Sequence, residues 1–197
     1  MTNAWLKKQI AFIVEIDKLK HVARRTYLMD NSRHENSAEH SWHLAIMALL
    51  LSGYAAERKI DVFRVMQMVL IHDIVEIDAG DTFCYDEKGQ KGRIAKEAKA
   101  AERLFGILPG DQAKGLRKLW DEFEARKTPE AKFAAALDRF QPLLHNYYTE
   151  GYAWKENGVT TDMVIERNRH ISEGSPELWH FAEKLIMDAV EKGYLER

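Results

Sequence analysis

Residues 71–81 read IHDIVEIDAGD. His72 and the acids Asp73, Glu76, Asp78 and Asp81 are interleaved there with Ile71, Ile74, Val75 and Ile77. An imidazole and several carboxyls beside so much aliphatic surface are costly to bury unless something pairs with them. A metal ion is one such partner, provided other parts of the chain supply the missing ligands.

Working outward, the pattern is helical almost throughout. Asp61 opens a helix that Val65, Met68, Val69 and Ile71 carry to about Glu76, and DAGDTF breaks it at Gly80. Residues 4–20 hold Trp5, Ile10, Phe12, Ile13, Ile16 and Leu19 at helical spacing, whereas 21–37, rich in Arg, Asn and Ser, read as a long loop. Ser37 suits the N-cap of a helix over 38–57, with His40 three positions on, so no capping box is expected. That helix has Trp42, Ala45, Ile46, Leu49 and Leu50 as its apolar face. A polar loop follows at 81–92, then helices near 93–107, 111–126, 129–150, 159–172 and 176–192, with Pro109 and Pro129 at helix entries. No strand-like alternation of β-branched residues occurs. The expected fold is an all-α bundle of about six to eight helices in a single domain spanning 1–197, a length ample for one core.

Composition narrows the function classes. The chain is 46% hydrophobic and 30% charged with a net charge of −2, so no basic field points to nucleic acid or an anionic membrane surface. Cys84 is the single cysteine and has no partner for an internal disulfide, which suits a reducing compartment. The amino-terminal MTNAWLKKQIAFIVEI lacks the layout of a secretion signal. No apolar run reaches the ~18–20 residues that span a bilayer. A cytoplasmic location is expected.

The missing ligands have two candidates. His40 lies in ENSAEHSWH at the start of its helix, and Asp138 lies in AALDRFQPLL among Ala134, Ala135, Ala136 and Leu137. A divalent metal takes imidazole and carboxylate donors brought together from several helices, and His40, His72, Asp73 and Asp138 make such a set. Asp138 also has a purely structural reading, as a partner for Arg139.

The order H…HD…D, with ENSAEH at 35–40, HDIVEIDAGD at 72–81 and ALDRFQPLL at 136–144, resembles the HD-domain metal-dependent phosphohydrolase superfamily, and more narrowly its 5′-deoxynucleotidase branch. The resemblance covers about residues 19–150; the helices over 159–192 lie outside it. It implies that His40, His72, Asp73 and Asp138 hold one divalent ion, with Mn, Co, Fe, Ni, Zn and Mg all compatible. It implies acid–base roles for Glu76 and Asp81, and phosphate recognition by Arg25, with Arg24 as rival. Branch members carry a tryptophan beside that arginine, where this chain has Thr26 and Tyr27, so these two are the candidates to line the sugar. No histidine occurs between residues 73 and 144, which argues against a two-metal site. The expected ligand is a small nucleotide or phosphate ester. The expected activity is 5′-nucleotidase, and the alternative is a non-catalytic nucleotide or metal sensor. A homodimer is implied by the family.

Other residues read more plainly. His43 and His145 can line the site but more simply pack; Asp78 suits a cap on the DAGD turn. The charges of 103–127 read as an ordinary solvated face.

Overall fold

The computed structural model describes residues 3–82, 85 and 92–197. Helices dominate, in agreement with the all-α expectation. In chain order, α1 (Asn3–Ile16) runs into a 3₁₀ turn, and a hairpin of β1 (Ala23–Tyr27) and β2 (His34–Asn36) leads to α2 (Ser37–Leu51). Then come α3 (Val62–Ile71), a 3₁₀ turn over His72–Val75, α4 (Glu76–Ala79), α5 (Arg93–Phe105) and α6 (Gly110–Ala125). The chain continues with α7 (Pro129–Tyr148), α8 (Tyr152–Glu156), α9 (Thr161–Asn168), α10 (Ile171–Gly174) and α11 (Pro176–Glu191). The sequence expectation of a polar loop over 81–92, with Cys84 inside it, falls largely outside the described residues.

Local chemistry explains where the helices start. Asn36, rather than Ser37, caps α2: its side chain accepts the Glu39 N–H at 2.9 Å, while Glu39 accepts the Asn36 N–H at 3.1 Å. This is a complete capping box, one residue earlier than the sequence reading placed the cap. Thr128 and Ser175 cap α7 and α11, each followed by a proline at the first helical position.

α7 is the central helix, with Phe133, Ala134, Ala136 and Leu137 fully buried against α2, α3, α6, α10 and α11. Small residues let neighbours approach closely. A Cβ on Gly174 would sit 2.3 Å from the Lys132 carbonyl, so α10 lies against α7 only because that position is glycine.

Two expectations need correcting. The 21–37 segment is not one loop: Ala23–Tyr27 and His34–Asn36 within it pair as an antiparallel hairpin with Tyr27 opposite His34; its short strands carry charged and polar residues and lack apolar alternation. Of the apolar stripe assigned to α2, only Ala45 faces the core. Trp42, Leu49 and Leu50 are exposed, at 63%, 52% and 74%, and the core side is made by His40, Leu44, Ala45, Met47 and Ala48. A helix apolar on both sides gives no periodic signal with which to tell core from surface.

Candidate metal centre and active site

The stretch expected as one helix to Glu76 tightens at His72 into a 3₁₀ turn. In that winding residues i and i+3 eclipse, so Asp73 and Glu76 share a face. Gly80, at φ 75°, then ends α4 and returns the chain so that Asp81 lines the same cavity. From α2 comes His40 and from α7 comes Asp138, both buried.

These side chains converge. His40 Nε2 lies 3.1 Å from Asp138 Oδ1 and 4.0 Å from Asp73 Oδ2; His72 Nε2 lies 3.0 Å from Asp73 Oδ1 and 3.7 Å from Asp138 Oδ1. Both rings are oriented from behind. The Nδ1–H of His72 donates to the Val69 carbonyl at 2.9 Å, and Nδ1 of His40 contacts Gln141 Oε1 at 3.1 Å. Each arrangement turns Nε2 toward the cluster, the orientation that ligand histidines require. The His72 Nε2 is buried and makes no hydrogen bond of good geometry. Ligand atoms of His40, His72 and Asp73 all fall within 4.8 Å of one another.

The two buried carboxylates draw positive charge to this point. Burial pulls the His40 imidazole down to about 4, with the Arg24 guanidinium adding to the effect, so the ring is neutral. Burial also acts to lower His72, but Asp73 and Asp138 outweigh it and hold that imidazole well above its ordinary value. Both carboxyls resist burial: His72 and Arg24 bring Asp73 down to about 2, and Arg139 with the two histidines holds Asp138 well below its ordinary value. Two ionised carboxylates facing two imidazoles, with one nitrogen unsatisfied, is a donor set that fits a divalent metal ion.

Beside it lies a carboxyl pair. Glu76 accepts a hydrogen bond from the Ser37 hydroxyl at 2.6 Å and is hydrogen-bonded to Asp81. Burial and the nearby Asp73 carboxylate push Glu76 well up, and the same two causes raise Asp81 against the pull of Arg24. Such a pair holds a proton between its members.

Strand alternation turns Arg24 inward. Its Nη1 donates to Asp73 Oδ2 at 2.8 Å, its Nε is 3.7 Å from Glu35 Oε2, and that Nε is buried without a hydrogen bond. Arg25, more exposed, and Thr26 line the same cavity. Tyr27 is not among the lining residues. Its ring packs on His34 and Tyr152 at centroid distances of 4.0 and 4.8 Å, and its main-chain carbonyl accepts from His145 Nδ1 at 2.7 Å.

Three features escaped the sequence reading. Gln141 lies at the hub of a second cluster: its amide nitrogen is 2.6 Å from Glu35 Oε1, 2.8 Å from His145 Nε2 and 3.3 Å from His43 Nδ1. The i,i+3 and i,i+4 spacing of Asp138, Gln141 and His145 was the available signal. Asp78 does not cap its turn; both its oxygens pair with Arg103. Within 103–127, read as a solvated face, Phe123, Glu124 and Arg126 line the cavity.

A helical bundle gathering imidazoles and carboxylates around one buried point, with an acid pair at its rim, defines a metal-site enzyme class rather than a packing core. The chain belongs to the HD domain family, whose model matches residues 16–179. A 5′-deoxynucleotidase HDDC2 from Bos taurus is 28% identical over 145 residues, 73% of this chain and 69% of that protein. Its Xenopus laevis counterpart is 30% identical over 139 residues, 70% of this chain and 67% of that protein. The crystal structure of a predicted metal-dependent phosphohydrolase from Magnetospirillum magnetotacticum MS-1 superposes with a TM-score of 0.93 at 53% identity, covering 99% of this chain and 100% of that one.

Proposed function

We propose that this chain is a metal-dependent phosphomonoesterase releasing phosphate from nucleoside 5′-monophosphates, the deoxy forms included. The observation that carries the reading is the buried, unsatisfied Nε2 of His72, aimed between Asp73 and Asp138 with His40 alongside. His40, His72, Asp73 and Asp138 would hold the ion. When bound, it supplies positive charge against the phosphoryl oxygens and makes water more acidic, and the donor set accepts Mn, Co, Fe, Ni, Zn or Mg.

The chain's own groups do the rest. One carboxyl of the Glu76–Asp81 pair accepts the proton of the attacking water, and the other donates its proton to the leaving 5′-oxygen, so the pair ends with its proton exchanged. Arg24 from inside and Arg25 from the rim bind the phosphate through forked donors. Thr26 lines the sugar; Tyr27 acts one step removed, through its carbonyl on His145.

No described helix is long and apolar enough to cross a membrane, and the reading includes a cytoplasmic location and no nucleic-acid partner. A homodimer is supported by the exposed Trp42, Leu49 and Leu50 of α2 with Phe63 close in sequence on α3; light scattering at micromolar concentration should return twice the 22.8 kDa chain mass.

The activity test is phosphate release by chelator-stripped protein. The substrates are 5′- and 3′-monophosphates, deoxy and ribo, with Mn²⁺, Co²⁺, Zn²⁺ or Mg²⁺ restored singly. Metal-dependent release from the 5′-esters is expected. Release that is indifferent to metal, or confined to 3′-esters, overturns the reading.

A further inference from the structure

The cavity is also lined by a group of arginines to which the reading above gives no role. Arg93, Arg126, Arg139 and Arg167 line it, brought from the start of α5, the end of α6, α7 and α9. The acids Asp73, Glu76, Asp81 and Asp138 have Arg24 and Arg139 to answer them. Arg93 pairs with Glu97 at 3.1 Å and Arg139 with Asp138 at 2.7 Å. Arg126 differs: its Nη1 lies 3.2 Å from His170 Nε2, and among the described residues no carboxylate comes within ion-pair distance of it.

That imidazole does not offset charge. Burial, and then Arg126, Arg139 and Arg167, pull His170 down to about 4, so it is neutral and accepts the Arg126 donor. The side chain of Arg126 is itself half-buried, and burial with the neighbouring Arg139 lowers it from its ordinary value. Its backbone adds a second cost. Arg126 follows α6 with φ 50° and ψ 37°, the left-handed position where glycine is usual and a side chain is disfavoured. A strained, desolvated guanidinium without a carboxylate, facing a substrate cavity, has the character of a ligand-binding group.

We infer that Arg126, with Arg139 and Arg167, forms a subsite for a second phosphate group, so that the favoured substrate is a nucleotide carrying one phosphate more than the one released. Three guanidiniums suit a dianion, because forked donors pair with phosphate oxygens two at a time. The inference rests on the hydrolase reading above. Two substrate classes present this chemistry. In a nucleoside 3′,5′-bisphosphate, water attacks the 5′-phosphorus, the P–O5′ bond breaks and O5′ takes the proton, leaving a 3′-monophosphate and inorganic phosphate. In a nucleoside 5′-diphosphate, the β-phosphorus is attacked and the bridging oxygen leaves on the monophosphate.

The test is steady-state phosphate release by metal-loaded protein at constant ionic strength. Deoxyadenosine 5′-monophosphate, deoxyadenosine 3′,5′-bisphosphate and deoxyadenosine 5′-diphosphate are compared for the native chain and Arg126→Gln. The expected result is a KM at least about tenfold lower for one doubly phosphorylated substrate than for the monophosphate, an advantage that the variant reduces to within about twofold. The arm that gains identifies the class. Arg126→Lys, which keeps charge but loses the fork, should fall between. Release from the monophosphate with no advantage for either other substrate overturns the subsite alone, as does an equal KM rise for all three in Arg126→Gln. No release from any of them overturns the hydrolase reading and the subsite with it. If the variant fails to fold, the native ratio still decides.

Discussion

Among the described residues two clusters of histidine and carboxylate sit within this bundle, and both draw on α2 and α7. One is His40, His72, Asp73 and Asp138; the other is Glu35, His43 and His145. By donor type and spacing they are alike, and either is a possible metal site. What separates them is what lies at the centre. In the second, the Gln141 amide nitrogen already occupies the middle, satisfying Glu35 and His145. In the first, the buried nitrogen of His72 faces the Asp73 and Asp138 carboxylates and makes no hydrogen bond of good geometry. Gln141 also joins them, since its carbonyl oxygen contacts the back of His40. The second cluster therefore reads as the support that fixes the tautomer of His40 in the first.

Breaking the first cluster should have the largest effect. Asp138→Asn should abolish metal binding and remove several kcal/mol of transition-state stabilisation, about three orders of magnitude in kcat/KM. Metal analysis beside phosphate release checks it. Glu76→Gln is next: bound metal stays at the native level while kcat drops roughly 10²–10⁴-fold. Equal metal loss in both variants would make Glu76 a ligand.

The second cluster should respond more gently. Gln141→Leu is expected to weaken metal affinity about 10–100-fold without changing the number of ions bound, read by competition with a chromogenic chelator. The smallest effect concerns Glu35. Burial pushes its carboxyl up to about 7, held back by Arg24 and Gln141. The unfolded chain releases that proton near 4.5, so between these values the folded state binds more protons. The stability contributed is full below pH 4.5 and is lost as pH rises through 7. Glu35→Gln should flatten this window, a change of roughly 1–3 kcal/mol across it, visible in thermal midpoints of metal-stripped protein.

The residues of the first cluster were legible because their chemistry is local to short motifs: HD within IHDIVEIDAGD, EH within ENSAEH, and a lone acid in an alanine-rich helix. The helical periods of α5, α6, α7 and α11 were legible for the same reason. The hairpin was not, since β1 is ARRTY and only its pairing with β2 makes it a strand. Nor was the cluster around Gln141, because Glu35 and Gln141 are 106 positions apart and a glutamine in a helix announces nothing. Arg126 looked like one more solvated charge. Its direction is set by the left-handed turn after α6, which sequence periodicity does not encode.

The most direct test of the account is the number of divalent ions per chain, counted by mass spectrometry after stripping and reloading the native protein and Asp138→Asn. The account predicts one ion per native chain and none in the variant. Two ions per native chain, or one retained by Asp138→Asn, would place metal in the Glu35–His43–His145 cluster and contradict the distinction drawn between the two.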